Sequence, residues 1–185
     1  MLFLLSSLIS LMCSGETFRF KTNSYDEARQ NNTYFKFIGE STKLGFITTD
    51  FEGYVREGEI TYEKAANLDE IKDVVLKFKV KDIDTNISAR DEKLQNECLD
   101  HKKYPEMTIR ILSITLNVLS QEVPAEMSVR GQKIPLRISI IKTDAQVYQG
   151  KSSFKLSDTL IPDPSISVAT IKDKFELEFQ INQAQ

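Results

Sequence analysis

The feature that most constrains this chain is the alternation of apolar and polar residues in one segment after another. The last such segment, KFELEFQIN at residues 174–182, places Phe175, Leu177, Phe179 and Ile181 on one side and charged or amide side chains on the other. A period of two is the pattern of a β-strand with one buried face. Strands with one apolar and one polar face are typical of antiparallel sheets rather than of parallel α/β sheets.

The same alternation recurs along most of the chain. It is visible in TFRFK at 17–21, YFKFI at 34–38, LKFKVK at 76–81, MTIRILSITLNVL at 107–119, EMSVR at 126–130, LRISI at 136–140 and SFKL at 153–156. About eight such strands close into a barrel or pack as a sandwich. Turns between strands are predicted by glycine and proline signals at Glu52-Gly53, Glu57-Gly58, Arg130-Gly131, Gln149-Gly150 and Pro162-Asp163-Pro164. Because no repeat, low-complexity tract or linker divides the chain, we predict one all-β antiparallel domain.

One stretch, SARDEKLQNEC at residues 88–98, lacks the alternation and is predicted to be a short helix. Ser88 is the expected N-cap, and Asp91 lies in the first turn, where the helix dipole favours an acidic side chain. Leu94 and Cys98 are four residues apart and would share one face of the helix.

The chemistry-bearing residues near this helix are few. His101 is the single histidine of the chain, and it follows Cys98 by three residues. A Cys–His pair makes a nucleophile when the two side chains are in contact, but Cys98, Asp100 and His101 fall short of the usual metal-ligand sets. We therefore predict a solvent-exposed connector, with no catalytic residue and no metal. The net charge of −3 also disfavours nucleic acid as a partner, because phosphate binding needs a basic face.

The N-terminal segment, residues 1–15, is uncharged and strongly apolar. It is shorter than the roughly 20 residues that a helix needs to cross a bilayer, and it ends in small residues, as secretory signals do. We predict a signal peptide that is cleaved after Gly15, leaving a single domain at residues 16–185. A buried strand or helix is the alternative, and lipid attachment at Cys13 is the less favoured form of export. Either cleavage would leave Cys98 as a lone thiol.

The charged stretch and its surroundings resemble the signature of the YceI-like family. The matching segments are DT at 84–85, RDEKL at 90–94, KYPEMTI at 103–109, MSVRGQKIPL at 127–136, LIPDPS at 160–165 and IKDKF at 171–175. With FKF and FEG upstream, the resemblance extends over roughly residues 17–182. It implies a lipocalin-like antiparallel β-barrel, exported in bacteria, that holds a polyisoprenoid or another lipid in its lumen, with one short helix covering an end.

The physics of such a barrel agrees with this resemblance. An eight-stranded barrel has an interior wide enough for side chains or for one small ligand, and each methylene that enters an apolar lumen contributes about 0.8 kcal/mol. The expected lumen-lining residues are Phe35, Phe37, Leu76, Phe78, Val80, Ile109, Ile111, Met127, Val129, Leu136, Ile138, Phe154, Leu156, Phe175, Leu177 and Phe179. Arg90 is predicted to pin the helix together with Asp91, and the alternative is that Arg90 contacts a lipid head group, as guanidinium geometry allows.

These observations predict an exported periplasmic or secreted protein that binds an amphipathic lipid for transport, storage or sequestration. No cofactor other than that lipid is expected. One competing hypothesis is a filled, structural barrel that acts through a partner protein. A second is an enzyme that uses the lumen as a substrate pocket, which would need an inward acid, base or nucleophile.

The sequence leaves two possible interactions open, one with a membrane surface and one with a second copy of the chain. Lys77, Lys79 and Lys81 form a polar face that is either simply solvated or a docking stripe for an anionic membrane surface. An exposed edge strand could pair two chains into a dimer.

Overall fold

A computed structural model describes residues 15–64 and 69–182 of the 185-residue chain. Within these residues, twelve strands form one antiparallel sheet. The strands are β1 Gly15–Lys21, β2 Tyr34–Lys43, β3 Ile47–Val55, β4 Glu57–Lys64, β5 Glu70–Lys79, β6 Ile83–Asp84, β7 Glu106–Thr115, β8 Ser120–Val129, β9 Gln132–Asp144, β10 Val147–Lys155, β11 Ala169–Ile171 and β12 Lys174–Asn182. Their order in the sheet is β1-β4-β5-β7-β8-β9-β10-β12-β2-β3-β6, with β11 beside β2. The predicted signal segment and Cys13 lie outside the described residues, apart from Gly15, which begins β1.

The sheet is curled because a single residue joins strands that lie near its opposite ends. Only Arg56 separates β3 from β4, although β3 lies beside β2 and β4 lies beside β5. The backbone of Arg56 also links both ends, since its N–H donates to Asp82 O at 2.8 Å and its carbonyl accepts from Thr22 N at 2.8 Å. The predicted antiparallel, lipocalin-like barrel is thereby confirmed, with more strands than the sequence indicated.

Two short helices accompany the sheet. Helix α1 spans Tyr25–Gln30, and α2 spans Ser88–Lys93 and continues as a wider π-helical turn over Leu94–Cys98. The predicted helix is therefore present, but its expected cap is wrong. Ser88 is the first helical residue, and Ile87 before it makes no side-chain cap.

The predicted strand at 76–81 ends earlier than expected. Strand β5 stops at Lys79, and Val80 and Lys81 belong to a short 3₁₀ turn, Val80–Asp82. Val80 is nevertheless buried, with 1% of its surface exposed. Lys81 does not extend the strand face of Lys77 and Lys79, so the predicted three-lysine stripe is not a continuous strand surface. The backbone N–H of Val80 instead donates to Pro105 O at 2.9 Å, at the entrance to β7.

Of the four predicted glycine turns, Arg130-Gly131 is confirmed as the turn between β8 and β9, and the other three lie within strands. Gly53, Gly58 and Gly150 lie within β3, β4 and β10. A Cβ at these positions would come within 2.2 Å of Phe37, 2.6 Å of Phe20 and 2.0 Å of Phe179, respectively. Glycine is used here because the ring of a phenylalanine on the adjacent strand occupies the space of its side chain.

A partly buried ion cluster stabilises one face of the sheet across the neighbouring strands β10, β12, β2 and β3. Lys36 Nζ lies 2.8 Å from Glu52 Oε1 and 3.2 Å from Glu178 Oε2, and Lys151 Nζ lies 2.6 Å from Glu178 Oε1. Burial alone would raise the pKa of Glu178, but hydrogen bonds from Lys151 and Lys36 outweigh it and lower that pKa. Folding thus favours the ionised form of this carboxylate.

Glu178 is therefore expected to make the free energy of unfolding decrease at acid pH. Its folded pKa lies below the unfolded value of about 4.3, so its contribution is complete above that pH and is lost as the pH falls through the folded pKa. Glu178→Gln should cost about 1–3 kcal/mol at pH 7, since charged donors lose an ionised partner. Urea unfolding between pH 7 and pH 2.5 measures both effects.

Glu176→Gln is the matched control, because Glu176 lies on the same strand and its more exposed side chain pairs with Lys174. The control should keep the acid dependence of the unsubstituted protein. If Glu178→Gln loses as much stability below pH 4.5 as the unsubstituted protein does, Glu178 is not the responsible group.

Candidate functional site

The interior of the barrel contains a cavity of about 380 Å³ at the end covered by α2. Its wall is strongly aromatic. Phe175 lies at the centre of this wall, with ring centroids 5.8 Å from Phe154, 6.0 Å from Phe51 and 6.2 Å from Phe37. The cavity reaches the surface, because exposed Ala89 also belongs to its wall. A volume of this size lies within the usual range of small-molecule pockets.

More than half of the predicted lumen residues belong to this wall. They are Phe35, Phe37, Phe78, Ile109, Met127, Phe154, Leu156, Phe175 and Leu177. They come from β2, β5, β7, β8, β10 and β12 and from the turn after β10, so the curled sheet brings them together from distant parts of the chain. Contact of each with a ligand stays a prediction.

The remaining predicted lumen residues lie elsewhere in the interior. Buried residues that belong to the hydrophobic core but do not line the cavity, at 1–9% exposure, are Leu76, Val80, Ile111, Val129, Leu136 and Ile138. Phe179 lines a separate void of about 90 Å³. Ligand contact by these residues stays a prediction, since an apolar strand face is buried equally well by packed side chains and by a cavity.

The sequence reasoning missed part of the wall. Phe51 on β3, Thr85, Leu99, and Ile161 and Pro164 in the loop before β11 all line the cavity. The alternation in DFEGYV, residues 50–55, places Phe51 on one strand face, but the predicted turn at Gly53 interrupts that strand. The loop residues carry no periodic signal, and only the folded chain shows that they close the cavity.

A hydrogen-bond network around Thr85 holds α2 over the cavity. Asp91 Oδ1 accepts from Thr85 N at 2.8 Å and from Thr85 Oγ1 at 2.6 Å. Thr85 in turn accepts from Arg90, through Oγ1 at 2.9 Å and through its carbonyl at 3.0 Å. Leu94 and Cys98 both line the cavity, as the predicted shared face requires.

Arg90 is positioned between the helix and the aromatic wall. Its guanidinium lies 5.0 Å above the ring of Phe51, and the side chain is half-buried. Burial lowers the pKa of Arg90, but a guanidinium stays charged in proteins. The bonds to Thr85 agree with the predicted pinning role, and contact with a head group stays a prediction.

The Cys98 thiol and the His101 imidazole do not form a nucleophilic pair. Cys98 is 2% exposed, and burial raises the pKa of its thiol. His101 Nδ1 lies 3.2 Å from the carbonyl oxygen of Gln95 instead. The prediction of a solvent-exposed connector is thus wrong for Cys98, which packs into the core.

Within residues 15–64 and 69–182, no group of three or more His, Cys, Asp or Glu side chains could hold a metal ion. None of the helices in this part of the chain is long and apolar enough to span a bilayer.

Comparison with solved structures identifies similar folds in three bacteria. A polyisoprenoid binding domain from Saccharophagus degradans, implicated in plant cell wall breakdown, is 12% identical over 80% of this chain and 91% of that chain, with a TM-score of 0.57. BcnA from Burkholderia cenocepacia is 14% identical over 79% and 94%, with a TM-score of 0.59. The YceI protein of Campylobacter jejuni is 16% identical over 78% and 94%, with a TM-score of 0.57.

These identities show a shared fold and no more. No curated protein matches the chain. The profile of the YceI-like domain, however, matches residues 25–183, which include the cavity, the helix that covers it and most of the sheet. The chain therefore belongs to the YceI-like family.

Proposed function

We propose that this protein binds an amphipathic lipid with a long apolar chain, of isoprenoid type or similar, without forming a covalent bond. The observation that carries the proposal is the aromatic cavity of about 380 Å³ that reaches the surface at one end. Each methylene that leaves water for such a wall contributes about 0.8 kcal/mol, so a chain of many carbons is held without hydrogen bonds. One of the structural neighbours is named as a polyisoprenoid binding domain, which supports this ligand class.

The cavity favours binding over the two competing hypotheses. A filled structural barrel would have no space at this end. Catalysis by the hydroxyl groups or lysines of the wall would need a neighbouring base, and the described wall contains no carboxylate and no histidine. Its one thiol, Cys98, has a raised pKa and is therefore poorly suited to act as a thiolate. We propose a binding role, in transport, storage or sequestration, and not an enzymatic one.

We also propose that the chain is exported, as its N-terminal residues 1–15 indicate. A lipid carrier or store is most useful where a long-chain lipid must cross or remain in an aqueous compartment. Periplasmic or secreted localisation is therefore the expectation that accompanies lipid binding, with lipid attachment at Cys13 as its less favoured form.

One experiment tests ligand and export together. The full-length gene is expressed in its native host, and the protein is purified from the cell envelope and the medium. Native mass spectrometry then gives the intact mass, and solvent extraction identifies any bound molecule. We expect a mass that lacks residues 1–15 and one long-chain lipid per chain. Recovery of ligand-free protein that also fails to take up geranylgeraniol would overturn lipid binding, whatever the state of the N-terminus.

A further inference from the structure

Two apolar turns lie side by side next to the cavity. The first is the turn of the β2–β3 hairpin, where Leu44 and Phe46 are exposed. The second connects Ile166 to Ala169, whose backbones exchange hydrogen bonds at 2.9 and 3.0 Å. The two turns are joined, because Leu44 N donates to Val168 O at 3.1 Å. We call their exposed apolar side chains the apolar tip, which consists of Leu44, Phe46, Ile47, Ile166 and Val168.

The hairpin turn projects into solvent instead of packing on the rest of the protein. A Cβ added at Gly45 would find no atom within 4 Å. Leu44 and Gly45 both have positive φ, of 51° and 79°, as the tight turns of hairpins require. Asn, Asp and Gly are the usual residues at such positions, and a leucine in the left-handed region is uncommon. The turn therefore presents an apolar side chain to solvent at a position where the backbone favours a polar one.

The apolar tip is closest to a positive charge. Two lysines and no carboxylate belong to the segments that carry it, 41–49 and 164–172. The carboxylates that flank these segments are at least three residues from any residue of the apolar tip, and they are Glu40, Asp50, Asp163 and Asp173. Along a strand, three residues span about 10 Å, which is about the screening length in 0.1 M salt. The nearest charge along the chain is that of Lys43, which favours an anionic surface.

The apolar tip borders the place where the cavity reaches the surface. Ile166 is exposed and also lines the cavity. Lys43 and Ala169 line it as well, and they lie opposite each other on β2 and β11. Exposed apolar side chains elsewhere on the barrel, such as Leu112 and Leu119, do not line the cavity. A lipid that entered or left at this end would therefore pass directly beside the apolar tip.

We propose that the apolar tip inserts into the head-group layer of a phospholipid bilayer, so that the open end of the cavity faces the membrane. This inference rests on the proposed function, because a long-chain lipid would then move between bilayer and cavity without crossing water. Exposed apolar patches mark protein or membrane contact sites. A bilayer suits a projecting turn, because lipid head groups part around it, whereas a flat protein surface would contact only its end. Apolar burial and the charge of Lys43 both favour the bound state.

Phe46→Trp tests insertion directly, because the chain contains no other tryptophan. The protein is isolated from its native host and mixed with vesicles of phosphatidylcholine and phosphatidylglycerol. We expect the indole emission to shift to the blue and to be quenched by lipids brominated near the head group. If neither change occurs, docking through the apolar tip is overturned. A shift that appears without vesicles as the protein concentration rises identifies a second copy of the chain as the occupant and also overturns it.

Leu119→Trp is the control for this readout. Leu119 is 76% exposed, as is Phe46, and it does not line the cavity. Its indole should therefore stay in water when vesicles are added. An equal blue shift at both positions would show that the protein adheres to vesicles without a preferred surface, which contradicts the proposal.

A second pair of variants measures the strength of docking. Leu44→Asn together with Phe46→Ser should lower partitioning onto the same vesicles by at least about tenfold, because two apolar side chains no longer leave water. Asparagine is chosen because it tolerates a positive φ. The matched control is Leu112→Ser with Leu119→Ser, whose side chains are 60% and 76% exposed, against 65% and 76% for Leu44 and Phe46. Equal losses in the two double variants would contradict docking through the apolar tip.

Uptake from solution separates this proposal from the proposed function. The Leu44→Asn, Phe46→Ser variant should bind geranylgeraniol from solution as tightly as the unsubstituted protein does, but it should extract lipid from vesicles more slowly. Unchanged extraction by this variant would overturn docking while lipid binding stands. Insertion of the apolar tip by a protein that takes up no lipid would support docking and overturn lipid binding.

Discussion

Ala169→Trp is expected to weaken lipid binding by about 50-fold. Ala169 lies on β11, and its side chain belongs to the cavity wall. An indole at this position would take the space of about three methylenes of the ligand, which at about 0.8 kcal/mol each is about 2.4 kcal/mol. The chain contains no tryptophan, so the introduced indole also reports directly, through its fluorescence, whether a ligand enters the cavity.

Thr170→Trp is the control for this substitution. Thr170 is the next residue on β11, is exposed, and lies outside the cavity wall. The same side chain on the opposite face of the strand should leave lipid affinity within about twofold of the unsubstituted protein, because successive residues of a strand point to opposite faces. Equal affinities in the two variants would show that the lipid is not held in this cavity.

Ile138→Ala is expected to lower the free energy of unfolding by about 2–5 kcal/mol. Ile138 is 2% exposed, lies opposite Val123 on the neighbouring strand, and does not line the cavity. Removing its side chain would leave a hole in a closely packed region that cannot collapse. Urea unfolding at neutral pH measures the loss, and lipid affinity of the folded protein should be unchanged.

Ile141→Ala supplies the comparison on the same strand. Ile141 is 47% exposed, so the same truncation should cost less than about 1 kcal/mol. If Ile138→Ala instead changed lipid affinity and left stability intact, the division of the interior into a packed part and a cavity would be wrong. The pair of variants therefore tests the architecture as well as the energetics.

The alternation predicted the buried face of β12 well. The alternating segment KFELEFQIN, residues 174–182, has the same bounds as β12. Its Phe175 and Leu177 are buried as expected. The pattern works because the side-chain period of a strand is a local, steric property of the backbone.

Glycine accounts for the main difference between the predicted and the observed strands. Turns predicted at Gly53 and Gly58 leave out β3 and β4, which close the sheet on itself through Arg56. The ring that packs on Gly53 is Phe37 of β2, the preceding strand, and the ring that packs on Gly58 is Phe20 of β1, which is distant along the chain. Turn propensity is a local quantity, and it cannot report a ring that a neighbouring strand places over the glycine.

The sequence by itself determined the class of fold, the family, the apolar character of the interior and the helix near residues 88–98, because periodicity and motif spacing are properties of short segments. Only the tertiary structure decided which apolar side chains surround a cavity and which, like Ile138, are packed. It alone placed Lys43 of β2 on the wall of the same cavity as Arg90 and Lys93 of α2. The reason is physical, because burial requires only that a side chain leave water. A cavity and the charges on its wall depend instead on how the curled sheet places residues that are far apart along the chain.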